Sequence, residues 1–165
     1  MLKFVSAVAL GLALAAPVAH ATTPADGVLG RFVGDWTVSG QTRGHATATE
    51  AEVRAQFGGA FVELHIQDPT RRSPYEARVW FGQDDAGKLV IHWLDATGGE
   101  TSHTLGAGAV EGDGLVFAFP YPDGTFRDRL DYDRGHDQWR LRIETGDKAA
   151  PVVFSDWLFT RRTGR

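Results

Sequence analysis

Apolar and polar side chains alternate along most of the chain, and short turn signals separate the alternating segments. In one such segment Ala51, Val53 and Ala55 share one face, while Glu52 and Arg54 share the other. Strands with one polar and one apolar face are typical of antiparallel sheets, because strands of parallel sheets are buried on both faces. The pattern therefore predicts an all-β protein.

Turns rich in Asp and Gly recur at regular spacing, as at 84–87, 112–114 and 133–135. Both residue types tolerate the backbone of tight hairpins, so the spacing predicts about ten strands in consecutive hairpins. The predicted strands cover roughly residues 34–42, 46–57, 60–67, 75–83, 88–95, 101–110, 115–121, 125–132, 138–145 and 152–161.

Consecutive hairpins form an up-and-down meander, and closing it into a barrel removes its exposed edges. We therefore expect an antiparallel up-and-down barrel of about ten strands. A two-sheet sandwich is the alternative that the pattern leaves open. A short helical turn at 28–33, with Val28, Leu29 and Phe32 on one side, is expected before the first strand.

The first 21 residues have the features of a secretory signal peptide. Lys3 precedes an apolar run at 4–16, which is too short to cross a bilayer as a helix. Residues 19–21, Ala-His-Ala, have the form of a cleavage site. We therefore expect export, most simply to the periplasm with secretion as the alternative, and a single domain at 22–165.

Composition narrows the classes of function. The chain has no cysteine, which removes disulfides, thiolate nucleophiles and cysteine metal sites. A net charge of −4 argues against nucleic acid as a partner. No later segment of the sequence is apolar over the length that a membrane-spanning helix needs. Five Trp and ten Phe can supply the core.

Two motifs at the ends of the domain indicate how the barrel closes. Gly34-Asp35-Trp36 opens the first predicted strand, and Arg161 lies near the end of the last. This arrangement resembles lipocalin-like (calycin) barrels, in which a Trp plugs one end and a guanidinium stacks on its face. The resemblance implies that Trp36 and Arg161 form a structural closure.

The chain also resembles a bacterial domain-of-unknown-function family with lipocalin-like barrels. The resemblance rests on LGRFVGDWTVSG, GGAFVELHI, YEARVWFGQDDAGKLVIHWLDATGG and FSDWLFTRR, and spans about residues 29–162. The family implies no activity, although related calycins bind small apolar or haem-like ligands. Nitrobindin-like haem barrels are distantly similar, but their haem-ligating His lies near the C-terminal strands, where residues 151–165 contain none. We therefore expect no cofactor.

A ten-stranded barrel is wider than the eight-stranded size that side chains just fill, which favours a cavity. The main hypothesis is therefore a barrel that binds a small, largely apolar ligand. Predicted lining residues are Trp80, Trp93, Phe117, Phe119, Tyr132 and Trp139. The same aromatic residues equally suit a filled core, and Trp80 shares its row with Glu76 and Arg78.

An enzyme, a hydrolase or isomerase, is the first alternative. Its weak catalytic candidates are His65, His92 and His103, of which the last two lie in neighbouring predicted strands near Asp95. This group could transfer protons or bind a metal, or each His could make one structural hydrogen bond. The spacing contains no metal-ligand motif, so we expect no metal. The second alternative is an interaction protein that uses its outer face, and the oligomeric state is not indicated.

Three further polar features have two interpretations each. Glu63 and His65 share a strand face, which either points inward as ligand anchors or outward as a solvated pair. Asp156 is expected to face the core and to pair with an arginine, with a ligand contact as the alternative. Arg71 and Arg72 either bind an anion at the barrel mouth or form a solvated loop.

Overall fold

A computed structural model describes residues 23–68, 70, 75–122, 124–146 and 149–163 of the 165-residue chain. The predicted signal peptide and the Arg71–Arg72 pair lie outside the described residues. None of the described segments is a helix with the length and apolarity needed to span a membrane.

Ten antiparallel strands form one closed barrel. The strands are β1 (Gly34–Thr42), β2 (His45–Gln56), β3 (Phe61–Gln67), β4 (Glu76–Gln83), β5 (Leu89–Asp95), β6 (Leu105–Glu111), β7 (Gly114–Tyr121), β8 (Gly124–Asp133), β9 (Gln138–Thr145) and β10 (Val152–Arg161). Each strand pairs with its neighbours in sequence, and β1 pairs with β10. The prediction of an up-and-down barrel is therefore confirmed, and the sandwich alternative is wrong.

The start of β6 differs from the prediction. Residues 101–104 were expected in a strand, but Gly99–His103 forms a 3-10 turn and β6 begins at Leu105. Gly98 and Gly99 both have positive φ, which turns the chain away from the sheet. Because β6 starts late, its ladder with β5 has four residue pairs, from Leu89–Gly108 to His92–Leu105.

Two short 3-10 turns, Pro24–Asp26 and Val28–Arg31, precede β1 and confirm the predicted N-terminal helical turn. They carry Leu29 and Phe32 into the barrel, where both are buried. The ring of Phe32 packs against Trp139 with 5.1 Å between ring centroids and against Phe159 with 5.3 Å. The N-terminal segment therefore plugs the barrel end at which β1 begins and β10 ends.

Candidate functional site

The plugged end, which we call the closing half, contains the predicted Trp36–Arg161 pair. The guanidinium carbon of Arg161 lies 4.2 Å from the centroid of the Trp36 ring. Arg161 also donates to the carbonyls of Arg31 and Val33, at 2.9 and 3.0 Å, and pairs with Asp137. One guanidinium thus joins the N-terminal turn, the β8–β9 loop and the last strand.

The glycine of the Gly-x-Trp motif makes room for this cation. Gly34 has φ +150°, and a Cβ there would lie 2.2 Å from Nη1 of Arg161. The indole nitrogen of Trp36 donates to the carbonyl of Phe32 at 2.8 Å, so the buried ring has no unsatisfied donor. The motif therefore has a structural explanation in this chain.

The opposite half of the interior differs in its charge, and we call it the acidic half. Its inward side chains come from the ends of β1, β5, β7 and β9 and the starts of β2, β4, β8 and β10. Here Trp93, Asp95, Tyr121 and Phe126 are half-buried, whereas the core residues of the closing half are almost fully buried. Side chains in this half therefore retain contact with solvent.

Asp128 is the deepest charged group of the acidic half. It lies on the inward row of β8 between Phe126 and Leu130, and its exposed fraction is 2%. Among the described residues it has no hydrogen-bond or ion-pair partner. Burial raises the pKa of Asp128 to about 7, because a carboxylate in apolar surroundings loses its hydration.

Asp95 is the second inward carboxylate, and its oxygens are hydrogen-bonded. The indole nitrogen of Trp93 donates to Oδ2 at 3.2 Å, and the hydroxyl of Tyr75 lies 3.4 Å from the same atom. The backbone N–H of Thr97 donates to Oδ1 at 2.9 Å. Burial and the charge of Asp95 raise the pKa of the Tyr75 phenol, so that phenol stays neutral at physiological pH.

Aromatic rings surround these carboxylates. Trp93 faces Trp157, with 6.3 Å between ring centroids. Phe126 contacts Tyr121 at 5.6 Å and Phe154 at 5.5 Å, both edge to face. The acidic half therefore combines apolar walls with a few polar groups, which is the usual composition of a small-molecule site.

Hydroxyl groups line the β1–β10 side of the same half. The indole nitrogen of Trp157 donates to Oγ1 of Thr42 at 3.0 Å, and that oxygen lies 3.0 Å from Oγ of Ser155. Thr49, farther along the inward row of β2, donates to the carbonyl of Gln67. These contacts give the polar side chains of this wall partners within the protein, whereas Asp128 on β8 has none among the described residues.

The predicted lining residues divide among three environments. Trp93 and Phe119 lie inside, toward the acidic half, and Phe119 stacks on Tyr121 with 6.0 Å between centroids. Phe117 and Trp139 are fully buried in the packed core. Tyr132 belongs to the closing half, where its ring lies 5.0 Å from that of Trp139.

Trp80 requires a correction, because it lies on the outer wall and does not line the interior. It shares the outward row of β4 with Glu76 and Arg78, as strict alternation demands. Its ring packs against Phe57 and Phe61 with centroid distances of 6.1 and 6.3 Å. The polar neighbours of Trp80 in sequence already indicated this placement.

The three candidate catalytic histidines all lie outside the barrel interior. His65 pairs with Glu76 at 2.7 Å on the outer wall. His92 bonds to the carbonyl of Ser102 at 2.8 Å, while His103 is exposed in the 3-10 turn. Asp95 points inward, away from His92, because successive residues of a strand face opposite sides and these two are three positions apart. The expected acid–base group is therefore not assembled.

Two carboxylates on the outer wall have arginine partners. Glu63 pairs with Arg78 at 2.6 Å, so the Glu63–His65 row points outward. Asp156 binds Arg140 through two hydrogen bonds of 2.7 and 2.6 Å. Its arginine partner was predicted, but its expected orientation toward the core is wrong. A register irregularity between Val153 and Ser155 separates the face of Phe154 from that of Asp156.

An apolar groove of about 410 Å³ lies on the outer wall beside Trp80. Its walls include Phe57, which is 75% exposed, and Leu105, which is 58% exposed. Gly82 allows the Phe61 ring to lie flat here, since a Cβ on Gly82 would be 2.7 Å from that ring. We call this feature the outer groove.

The sequence prediction missed Asp128. Phe126, Leu130 and Tyr132 define the inward row of β8, and Asp128 occupies the remaining position of that row, between Phe126 and Leu130. A carboxylate at a core position of a clear strand was the signal that could have identified it. Asp95 was considered only as a partner for histidines.

In the part of the chain that the structure describes, no group of three or more His, Asp or Glu side chains is arranged to hold a metal ion. No protein-family model matches the sequence, and a search of curated proteins finds no significant match. The resemblance to lipocalin-like barrels consequently remains a proposal.

Proposed function

We propose that this protein is an exported, lipocalin-like barrel that binds a small, largely apolar ligand in the acidic half of its interior. The observation that carries the proposal is Asp128, a buried carboxyl group that lies among aromatic side chains and has no partner in the described part of the chain. An unpaired buried carboxyl group destabilises the ligand-free protein by up to several kcal/mol. Such groups are found more often in binding and catalytic sites than elsewhere. The N-terminal sequence supports export and a periplasmic location.

Native mass spectrometry of the mature protein, purified from the periplasm without detergent, tests this proposal. We expect a discrete added mass, and an absorbance scan reports whether the ligand is a chromophore such as haem. Thr49→Phe places a ring on the inward face of β2 and should remove the added mass. Thr37→Phe, the same change on the exposed outer face of β1, should retain it.

A clean apo mass in the wild-type protein, together with failure of small amphiphiles to bind, would refute interior binding. That result would favour the second candidate function, which is an interaction with another protein through the outer wall. The outer groove favours it, since large exposed aromatic side chains in one patch are uncommon on isolated domains. A complex recovered from the periplasm and lost on Phe57→Ser would support that function.

A further inference from the structure

The environment of Asp128 restricts the chemistry of its partner. The two arginines beside it on β8 point outward because neighbours in a strand alternate. Arg127 donates to the carbonyl of Gly146 at 2.9 Å, and Arg129 pairs with Glu111 and Asp131. The chain thus has cations next to Asp128 in sequence but directs them away from it.

The described groups that face Asp128 from the neighbouring strands supply no positive charge. Its register partners are Phe117 on β7 and Ile143 on β9, both apolar. Among the described residues, Asp128 acts electrostatically on Tyr75 and Tyr121, and Asp95 acts on the same two phenols. Burial raises the pKa of the Tyr121 phenol, and the charges of Asp128 and Asp95 raise it further, so the described charges that act on this phenol are negative.

A cation on the rim does not neutralise this field. Arg43, in the β1–β2 turn, is exposed, and its guanidinium lies over the ring of Phe154 at 4.7 Å. Burial is the cause of the raised pKa of Asp128. No hydrogen bond or ion pair joins Asp128 to Arg43, whose guanidinium lies on Phe154 instead. A ligand with a carboxylate or phosphate would meet two like charges in the interior, and such a ligand is disfavoured.

The aromatic walls favour a positive ligand group. Ring faces attract cations, most strongly in sites from which water is excluded. Trp93, Trp157 and Phe126 supply such rings, and Phe154 already accepts the guanidinium of Arg43 in this way. An unpaired carboxyl with aromatic neighbours is the combination that recognises an organic ammonium group.

We propose that the interior ligand is an apolar molecule with one basic nitrogen, whose ammonium group pairs with Asp128 while its apolar part packs on the aromatic rings. This inference rests on the proposed binding function and adds the ligand class. It predicts proton release on binding near pH 6, because a bound cation favours the ionised form of Asp128.

The test compares three matched probes by isothermal titration calorimetry: dodecylamine, dodecanol and dodecanoate, each below its aggregation concentration. We expect the amine to bind at least tenfold more tightly than the alcohol or the carboxylate. Its affinity should increase on the order of tenfold between pH 5.5 and 7.5, as Asp128 ionises while the amine stays protonated. The affinity of the alcohol should not increase.

Asp128→Asn should remove the preference for the amine while retaining binding of the alcohol. Asp131→Asn makes the same change on the outward face of β8 and should leave the preference intact. If the alcohol or the carboxylate binds as tightly as the amine, the ligand class is wrong and the barrel still binds apolar molecules. If none of the three binds, both the ligand class and the proposed function are wrong.

Discussion

The closing half and the acidic half of the barrel interior contain similar aromatic side chains but differ in how their polar groups are paired. In the closing half, the indole of Trp36 and the guanidinium of Arg161 have partners within normal hydrogen-bond distance. In the acidic half, Asp128 is about as buried as Trp36 and has no such partner among the described residues.

This difference separates a region that maintains the fold from the region that we propose to bind a ligand. A buried polar group with its hydrogen bonds satisfied stabilises one packing arrangement. A buried carboxyl without a partner destabilises the empty protein and becomes favourable only when a ligand supplies the missing charge or donor. Substitutions in the two halves should therefore have opposite effects on stability.

The largest expected effect is that of Trp36→Ala in the closing half. It removes a fully buried ring and the surface on which Arg161 stacks, and should lower the free energy of unfolding by about 3–5 kcal/mol. Urea denaturation followed by circular dichroism measures the loss. Trp80→Ala, on the outer wall, is the matched control and should have a smaller effect. Equal losses would contradict the assignment of Trp36 to closure.

The next largest effect concerns the pH dependence contributed by Asp128. Its pKa is raised from 3.8 when unfolded to about 7 when folded, so the folded state binds the proton more tightly. That group's contribution to stability therefore falls as pH rises from about 4 to 7, by up to about 4 kcal/mol. Asp128→Asn should match the wild type near pH 4 and exceed its stability at pH 8.

Urea denaturation of both proteins across this pH range measures the difference. Groups with lowered pKa, such as Asp156, lose stabilising charge in acid equally in both proteins and cancel in the comparison. A constant difference between the two proteins at every pH would contradict the unpaired state of Asp128.

The smallest of the three effects is that of Gly34→Ala. The new Cβ would overlap Nη1 of Arg161, and φ at this position is +150°, so we expect a loss of about 1–3 kcal/mol. Gly44→Ala is the matched control, since Gly44 also has positive φ but no atom near the new Cβ. Thermal melts should show a larger decrease for Gly34→Ala, and equal decreases would mean that the guanidinium is not displaced.

Most strands were predictable because one face of each is apolar and buried and the other is polar and faces solvent. Trp139, Leu141 and Ile143 alternate with charged residues, and β9 has the predicted bounds of 138–145. The start of β6 was not predictable in this way. Thr101–His103 could continue a strand by composition, and only the positive φ at Gly98 and Gly99 diverts the chain.

Much less of the candidate site was predictable. Trp93 and Phe119 were assigned correctly to the interior, but Trp80 was placed inside on aromatic character although its row is polar. Asp128 was missed because its strand was read from its apolar members. Whether an inward carboxyl has a partner depends on groups from other strands, which the order of residues in one strand does not specify.

The sequence by itself determined the class of structure and most of its strands, because alternation and turn residues act over a few positions along the chain. The tertiary structure decided between the closed barrel and the two-sheet sandwich, and it brought Trp36 onto Arg161 across 125 positions, a contact that the sequence indicated only by resemblance. It also decided that Asp128 has no partner among the described residues, although an arginine stands on each side of it in the sequence. The physical reason is that burial and pairing depend on distances across the barrel, which are fixed only when the last strand joins the first.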